Sequence, residues 1–485
     1  MPRLFGTDGV RGAVGEWPMT PEFALKLGMA AATVLGANKK RAAVAIGRDT
    51  RQSGQMLQSA LAAGLLAGGV DVLDVDVMPT PGVSWAVRRL GAVAGVVISA
   101  SHNPAEQNGI KIFGSEGMKL SEPLEEQMER LVEPPSGDPP FSFAYSKRLG
   151  RVMESHGMHD RYLEALLAEH PDLRLDGYSI VVDCSNGAAS KFAPDLFSRL
   201  GAQVAAVNAS PSGTNINAEA GSEFVRQKPE RIGALAQSVN ANFGIAFDGD
   251  ADRVIFVDDK GGVVDGDHML GVLARYFEGR RTLLGKAVVT TTMRNNGLRL
   301  FVEKLNLKLH ETPVGDKYVA EKLSNMRNEL TPPKMVGLGG EQSGHVILLG
   351  SDFVTGDGMR TALYVIKAFL DSGAASMAEF AAGVGKTPQV IASADVGQGK
   401  RLDKETIANM EQQTMSSTPG LVRINLRYSG TEPKFRAMLE SDGSQSEQQL
   451  AQVAHRICKI AQNVAGTDQS HVEILNCTCG GLLKA

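Results

Sequence analysis

Short apolar runs alternate along this chain with stretches in which apolar positions recur every three or four residues. The run 42–46 is read as a strand, and Leu57, Leu61 and Leu65 then fall on one face of a helix. Val70, Val72, Val75 and Val77 predict the next strand, which Met78-Pro-Thr-Pro81 ends, and 93–98 predicts another, fully buried one. A second strand-helix series runs from 178–183 to 241–247. A third starts near Asp267, with strands at 286–292 and 335–338 and a helix over 358–369. Such alternation predicts layered α/β domains with helices covering mixed sheets. The three units are similar in size but show no strong residue-level repeat. The C-terminal part differs. The segment 421–426 alternates like a strand, and Leu450, Val453, Ile457, Ile460 and Val464 make one helical stripe, so a smaller α+β domain is expected. The stretch 133–140, rich in proline, reads as a linker, and the tail from Asn476 is expected to fray. The expected division is 1–155, 156–262, 263–375 and 376–485, which suits a length of 485 residues, too long for a single core.

Composition adds exclusions. The formal net charge of −4 gives no global field for nucleic acid, and no apolar run of about 18 residues exists to span a membrane. The N-terminus lacks the long apolar core of a signal peptide. Cys184, Cys458, Cys477 and Cys479 do not resemble a disulfide framework, so a reducing cytoplasm is expected. Cys477-Thr-Cys479 could bind metal or form a redox pair, but two free thiols are favoured.

The chemistry is concentrated in polar loops that follow apolar strands. Ser99-Ala-Ser-His-Asn-Pro104 follows the 93–98 strand, and Pro104 disfavours helical geometry at Asn103. The loop is therefore expected to stay extended and open at the sheet edge. Its hydroxyls can act as a nucleophile or carry a phosphoryl group, although an ordinary turn has the same composition. Asp248-Gly-Asp-Ala-Asp-Arg253 places three carboxylates at alternate positions of a loop expected to be extended. They repel one another unless a hard cation neutralises them, and Mg²⁺ suits oxygen ligands that work with phosphates. A calcium loop would need Gly at position six and Glu at position twelve, where Arg253 and Asp259 stand. A solvated acidic turn is the plainer alternative.

Gly339-Gly-Glu-Gln-Ser-Gly-His345 offers a carboxylate, an amide, a hydroxyl and an imidazole, the mixture that vicinal sugar hydroxyls require. The alternative is a glycine-rich connection, in which His345 is structural. Arg427-Tyr-Ser-Gly-Thr-Glu-Pro-Lys-Phe-Arg436 can grip a phosphate through Arg427 and complete a cradle with Ser429, Thr431 and the Gly430 amide, or be a solvated turn. Phe5-Gly-Thr-Asp-Gly-Val-Arg-Gly12 and Gly47-Arg-Asp-Thr-Arg51 carry arginines that could equally serve surface ion pairs. Lys111, ten residues beyond Ser101, carries little weight alone.

Together these loops resemble the α-D-phosphohexomutase superfamily, with four diagnostic loops in family order from Phe5 to Arg436. The resemblance implies three related α/β domains and a smaller fourth around a central cleft. It implies Ser101 as the phosphoserine, so that phosphate is covalently attached there, and Ser101, Asp248, Asp250 and Asp252 as ligands of one Mg²⁺. Arg11 and Lys111 would flank the transferring group, with Lys111 and His345 as general acid/base candidates. Glu341 and Ser343 match sugar-hydroxyl contacts, and Gly315 and Asp316 a further substrate loop. Arg427, Ser429, Gly430, Thr431 and Arg436 match the loop for the non-reacting phosphate, and His102 and Arg253 complete the substrate contacts.

The implied reaction interconverts the 6- and 1-phosphates of glucosamine through a 1,6-bisphosphate, feeding UDP-N-acetylglucosamine and peptidoglycan precursors. The implied partner is a hexosamine phosphate, not nucleic acid or membrane, and a homodimer is an expected assembly. The substrate assignment leans on Gln342, where members acting on mannose or glucose phosphates usually have Met. The rivals are such a mutase, a metal-dependent phosphatase and a non-catalytic sugar-phosphate sensor. Gly221-Ser-Glu-Phe-Val225 departs from the family's usual Gly-Ser-Thr-His-Pro, and Tyr428 stands where some members have Pro. The segment 324–334 is longer than usual.

Overall fold

The computed structural model describes residues 4–6, 8–36, 41–133, 141, 144, 148–330, 335–397, 399–429, 433–467 and 471–484. The expected linker after Glu133 and the end of the long 324–334 segment lie outside them. The strands form four sheets. The first runs Val10–Ala13, Gln107–Gly114, Ala94–Ile98, Ala43–Arg48, Asp71–Val77, Val152–Glu154. The second runs Val263–Val264, Val254–Val257, Phe243–Phe247, Ser179–Asp183, Gln203–Val207. The third runs Lys308–Thr312, Leu283–Thr291, Val336–Gly340, Val346–Leu349.

These three sheets share a plan that no residue repeat betrays. In each, a strand pairs in parallel with the two that follow it, one on either side, and the later of these pairs antiparallel with the next strand. Parallel pairing needs crossovers, and helices such as Ser53–Ala67 and Thr80–Leu90 supply them. Leu57, Leu61 and Leu65 are fully buried, as the helical spacing requires. The antiparallel reversal needs only a short loop. Ser101, Asp248 to Arg253, and Glu341 to His345 all occupy that one connection, each in a different sheet.

One apolar cluster runs through the first three units, from Trp85 through Phe192 and Phe247 to Phe369. The fourth sheet is antiparallel throughout, in the order Leu421–Tyr428, Lys434–Ser441, Gln389–Asp395, Val472–Asn476, Leu482–Leu483. It has its own apolar cluster, against the helix Glu447–Ala465. The architecture is thus three α/β units and a smaller C-terminal α+β unit.

Several details differ from expectation. The tail does not fray at Asn476: a hairpin returns as Leu482–Leu483, closed by Asn476 N donating to Gly481 O at 2.9 Å. Gly481 N in turn donates to Arg226 O of the second unit at 2.8 Å. Of the expected stripe on the last helix, Leu450 and Ile457 are buried while Ile460 and Val464 are exposed; Ala451, Ala454, Cys458 and Ala461 fill the contact instead. Val263–Val264 edges the second sheet, just past the expected boundary at 262. The helix Met377–Ala382, past the expected boundary at 375, buries Met377 and Phe380 in the shared cluster of the first three units. All four cysteines are free, and Cys477 is buried. Among the described residues no helix is long and apolar enough to cross a membrane.

Candidate active site

The Ser101 loop is neither extended nor open. Ser101 has φ 53°, in the left-handed region, and is fully buried. Such a conformation persists only where the surroundings over-determine it. Here they do. Arg51, itself buried, donates to Asp49 at 2.9 Å and to the carbonyls of Ser101 at 3.0 Å and Asn103 at 2.7 Å. Asn217, from the second unit, donates to the same two carbonyls at 2.8 Å. Ser99 Oγ donates to Asp49 at 2.6 Å and accepts from Ser101 N at 2.9 Å. Arg51 is thus a buried strut rather than a partner in a surface ion pair, and neither it nor Asn217 stood out in the sequence as a site residue.

The Ser101 Oγ faces the second loop and donates to Asp248 Oδ2 at 2.5 Å. Gly249 makes this approach possible, since a Cβ there would lie 2.5 Å from Ser101 O. The acidic loop turns rather than extends, with Ala251 at φ 57°, and the turn still converges its carboxylates. Oxygens of Asp248, Asp250 and Asp252 all lie within 4.8 Å of one another, and all three residues are buried. Burial, with Asp252 and Asp250 alongside, holds the Asp248 carboxyl well above the usual range. Asp250 Oδ1 and Asp252 Oδ1 have no hydrogen-bond partner among the described residues. Crowded buried carboxylates with spare oxygens, beside a serine hydroxyl, fit a hard divalent cation.

Cations surround the cluster. Lys111 Nζ lies 2.8 Å from Asp250, 3.0 Å from Asp8 and 3.4 Å from Asp252. Burial opposes its charge, but these carboxylates outweigh burial and raise its pKa. Arg11 pairs with Asp8 and reaches Ala100 O at 3.3 Å. Asp8, overlooked although its motif was noticed, also binds Lys119 at 2.7 Å. His102 Nδ1 lies 3.5 Å from Ser101 Oγ and 3.3 Å from Arg253 Nη1. Asp250 is further met by Thr80 at the start of a helix, whose Oγ1 donates to the Asp250 carboxylate at 2.5 Å and whose N donates to the Asp250 backbone carbonyl at 3.0 Å.

The third loop closes the site. His345 lies between Asp252 at 3.5 Å and Asp316 at 3.6 Å. Burial lowers its pKa, and the two carboxylates reverse this to about 9. The Gly315 amide donates to Glu341 Oε1 at 3.2 Å. Ser343 Oγ is buried without a partner among the described residues. Gln342, between them, is turned away toward Asp267 and Gln389.

Asp8, Arg11, His102, Asp252, Arg253, Glu341, Ser343 and His345 border one cleft of about 1010 Å³, which the fourth unit also lines through Arg427, Ser429, Lys434 and Arg436. Arg427 and Arg436 stand directly opposite each other on neighbouring strands. Burial and Arg436 push the Arg427 pKa down to about 10. Gly430 and Thr431 lie outside the described residues. Glu223 lines the same cleft 3.0 Å from Arg226, in the segment that departs from the family pattern. Burial would raise its pKa, but Arg226, His102, Arg253 and Arg436 hold it at about 2.

Three family models match in order: phosphoglucomutase/phosphomannomutase alpha/beta/alpha domain I over 2–136, domain II over 160–262 and domain III over 265–386. A phosphoglucosamine mutase of Mesorhizobium japonicum is 42% identical over 91% of this chain and 94% of its own. A phosphoglucomutase/phosphomannomutase family protein of Burkholderia thailandensis superposes with a TM-score of 0.75 at 22% identity, covering 95% of this chain and 98% of that one. An Aspergillus fumigatus N-acetylphosphoglucosamine mutase in complex with GlcNAc-6P and magnesium superposes with a TM-score of 0.60 at 19% identity, covering 87% and 83%. The chain belongs to the phosphoglucomutase/phosphomannomutase family of the phosphohexomutase superfamily, in its phosphoglucosamine mutase branch.

Proposed function

We propose that this chain interconverts glucosamine 6-phosphate and glucosamine 1-phosphate, with Ser101 giving up and recovering a phosphoryl group in each turnover. The observation that supports this most is that Ser101 meets the cluster of Asp248, Asp250 and Asp252, and that Asp252 and the Glu341 loop, from two further units, line one cleft with Arg427 and Arg436 of the fourth.

In the first half of the cycle the bond between Ser101 Oγ and phosphorus breaks, and the free sugar hydroxyl takes the phosphoryl group. The hydroxyl gives up its proton, and the serine oxygen gains one. The product is the 1,6-bisphosphate. The sugar turns end for end, Ser101 Oγ takes the other phosphoryl group, and the isomeric monophosphate remains. Arg11 and Lys111 stabilise the charge that develops on the phosphoryl oxygens, while Lys111 and His345 handle protons. Asp248, Asp250 and Asp252, with the Ser101 phosphate, would hold Mg²⁺, which when bound would add electrostatic stabilisation of the same charge. Glu341 and Ser343 bind sugar hydroxyls beside Gly315 and Asp316. His102 and Arg253 contact the phosphate near Ser101. Arg427, Ser429 and Arg436, with Gly430 and Thr431, grip the phosphate that is not reacting.

On this reading the enzyme works in the cytoplasm on a small molecule. Its units are 1–155, 156–264, 265–386 and 387–485.

Intact mass with peptide mapping tests the central step. An added phosphate on Ser101 is expected, together with loss of mutase turnover and retention of the circular dichroism spectrum in Ser101→Ala. Wild-type turnover by that variant would refute the assignment. Comparing kcat/KM on glucosamine, glucose and mannose 6-phosphates separates the substrate readings. Inorganic phosphate as the main product would mark a phosphatase instead.

A further inference from the structure

We propose that Gln342 is a positioning residue that ties the sugar loop to the opening strand of the fourth unit through Asp267 and Gln389. This deepens the proposed mutase function and rests on it for the meaning of the sugar loop. Glu341, Gln342 and Ser343 all line the cleft. Gln342 itself is 3% exposed, and its Nε2 donates to Asp267 Oδ2 at 2.9 Å and to Gln389 Oε1 at 2.8 Å.

The amide orientation is fixed by chemistry. The Gln389 Nε2 is committed to the carbonyls of Arg294 at 3.1 Å and Met293 at 3.4 Å, so its Oε1 must be the atom facing Gln342. Both partners of Gln342 are therefore acceptors, and only its NH₂ can face them. Its NH₂ is therefore spent on the tie, while its Oε1 is buried with no hydrogen-bond partner among the described residues.

The two partners lie at the junction between units. Asp267 opens the third unit's first helix, Gly266–Gly279, and also accepts from Asn295 N at 2.9 Å and Lys386 Nζ at 3.2 Å. Gln389 is the first residue of the strand Gln389–Asp395, which lies between the Lys434–Ser441 and Val472–Asn476 strands in the fourth sheet. The fourth unit has a separate apolar cluster, and its attachment here includes buried and partly buried polar bonds. Besides Gln342 these include Asn295 Nδ2 to Thr387 O at 2.8 Å, Asn296 N to Glu440 Oε1 at 2.5 Å and Arg423 Nη1 to Arg294 O at 2.6 Å. A buried bond aligned by both partners resists displacement, because breaking it leaves desolvated groups unmet. A shift of the sugar loop thus bears on the base of the sheet that carries Arg427, and a shift of that sheet bears on Glu341 and Ser343.

The test is Gln342→Met, which keeps the volume and removes both donors. Its KM for glucosamine 6-phosphate is expected to rise roughly tenfold, equivalent to about 1.4 kcal/mol. The preference for glucosamine over glucose and mannose phosphates should stay within about threefold. Amide hydrogen exchange over residues 386–396 should quicken about tenfold without any substrate. Gln389→Met cuts the same bond from the other side and reproduces the result if the first variant folds poorly. Because the two residues share one bond, the double variant should lose less than the sum of the two single losses. A tenfold or larger change in sugar preference with unchanged exchange would overturn the proposal and make Gln342 a reader of the sugar. Additive effects of the two substitutions would overturn it too. If the wild-type protein fails to turn over glucosamine phosphate, the functional reading falls, while the exchange measurement still judges the tie.

Discussion

Arg427 and Arg436 form a pair of like charges at the edge of the cleft. Two guanidinium groups face each other across neighbouring strands, and like charges so placed repel. Burial deprives Arg427 of the water that would screen it, and its Nε has no partner among the described residues. A phosphate between the two would relieve the repulsion and supply acceptors at once. Arg427→Ala is therefore expected to raise KM by roughly ten- to a hundredfold, or about 1.4–2.8 kcal/mol, while kcat falls by less. Steady-state kinetics on glucosamine 6-phosphate checks this, and an unchanged KM would count against the cradle. The motifs around Ser101, Asp248 and Arg427 were legible because each is a compact polar run after an apolar strand. Arg51 and Asn217 were not, since they reach the Ser101 carbonyl from 50 and 116 residues away and leave no local pattern.

At the scale of elements, the start of the Gly266–Gly279 helix is pressed against the sugar loop. A Cβ at Gly266 would lie 1.9 Å from Glu341 O, so backbone rather than a flexible side chain would have to move. Gly266→Ala is expected to cost on the order of 1–3 kcal/mol and to displace Glu341. A lower melting temperature together with a higher KM would show both effects, whereas a fall in stability with KM unchanged would separate the helix from the site. Most strands and helices were legible from periodicity. What periodicity could not supply was backbone hand: the left-handed turns at Ser101 and Ala251 replaced loops read as extended, because contacts from other elements impose them. The last helix misled in another way. Its large apolar side chains suggested the buried face, but the sheet comes close enough to prefer alanines.

For the whole molecule, the seam between the second and third units is as informative as the cleft. His170 stacks edge-on against Tyr364 at 4.4 Å, near the pair of Arg360 and Glu169 at 2.6 Å, and its Nε2 has no partner among the described residues. Burial, and then Arg360 and Lys367, lower its pKa to about 4. The unfolded chain binds a proton near pH 6.5 and the folded one does not, so stability falls as pH drops from 6.5 and levels off below 4. At pH 5 the loss is about 2 kcal/mol. His170→Phe should abolish this part, so its melting temperature should fall less than that of the wild-type protein between pH 7 and pH 5. Parallel slopes would place the acid sensitivity elsewhere. The number of units was legible from the alternation of strands and helices, but their common strand order was not, because topology leaves no mark on residue identity.

That common order also has a bearing on synthesis. The serine and the carboxylates it faces belong to different repeats of one plan, separated by 147 residues. On the ribosome, the nucleophile's loop emerges long before the acidic loop that completes its surroundings. A nascent chain carrying only the first repeat lacks Asn217 to brace that loop and Asp248 to meet its hydroxyl. A chain that ends before the second repeat is therefore expected to leave Ser101 without the bracing and the carboxylate that surround it in the full fold.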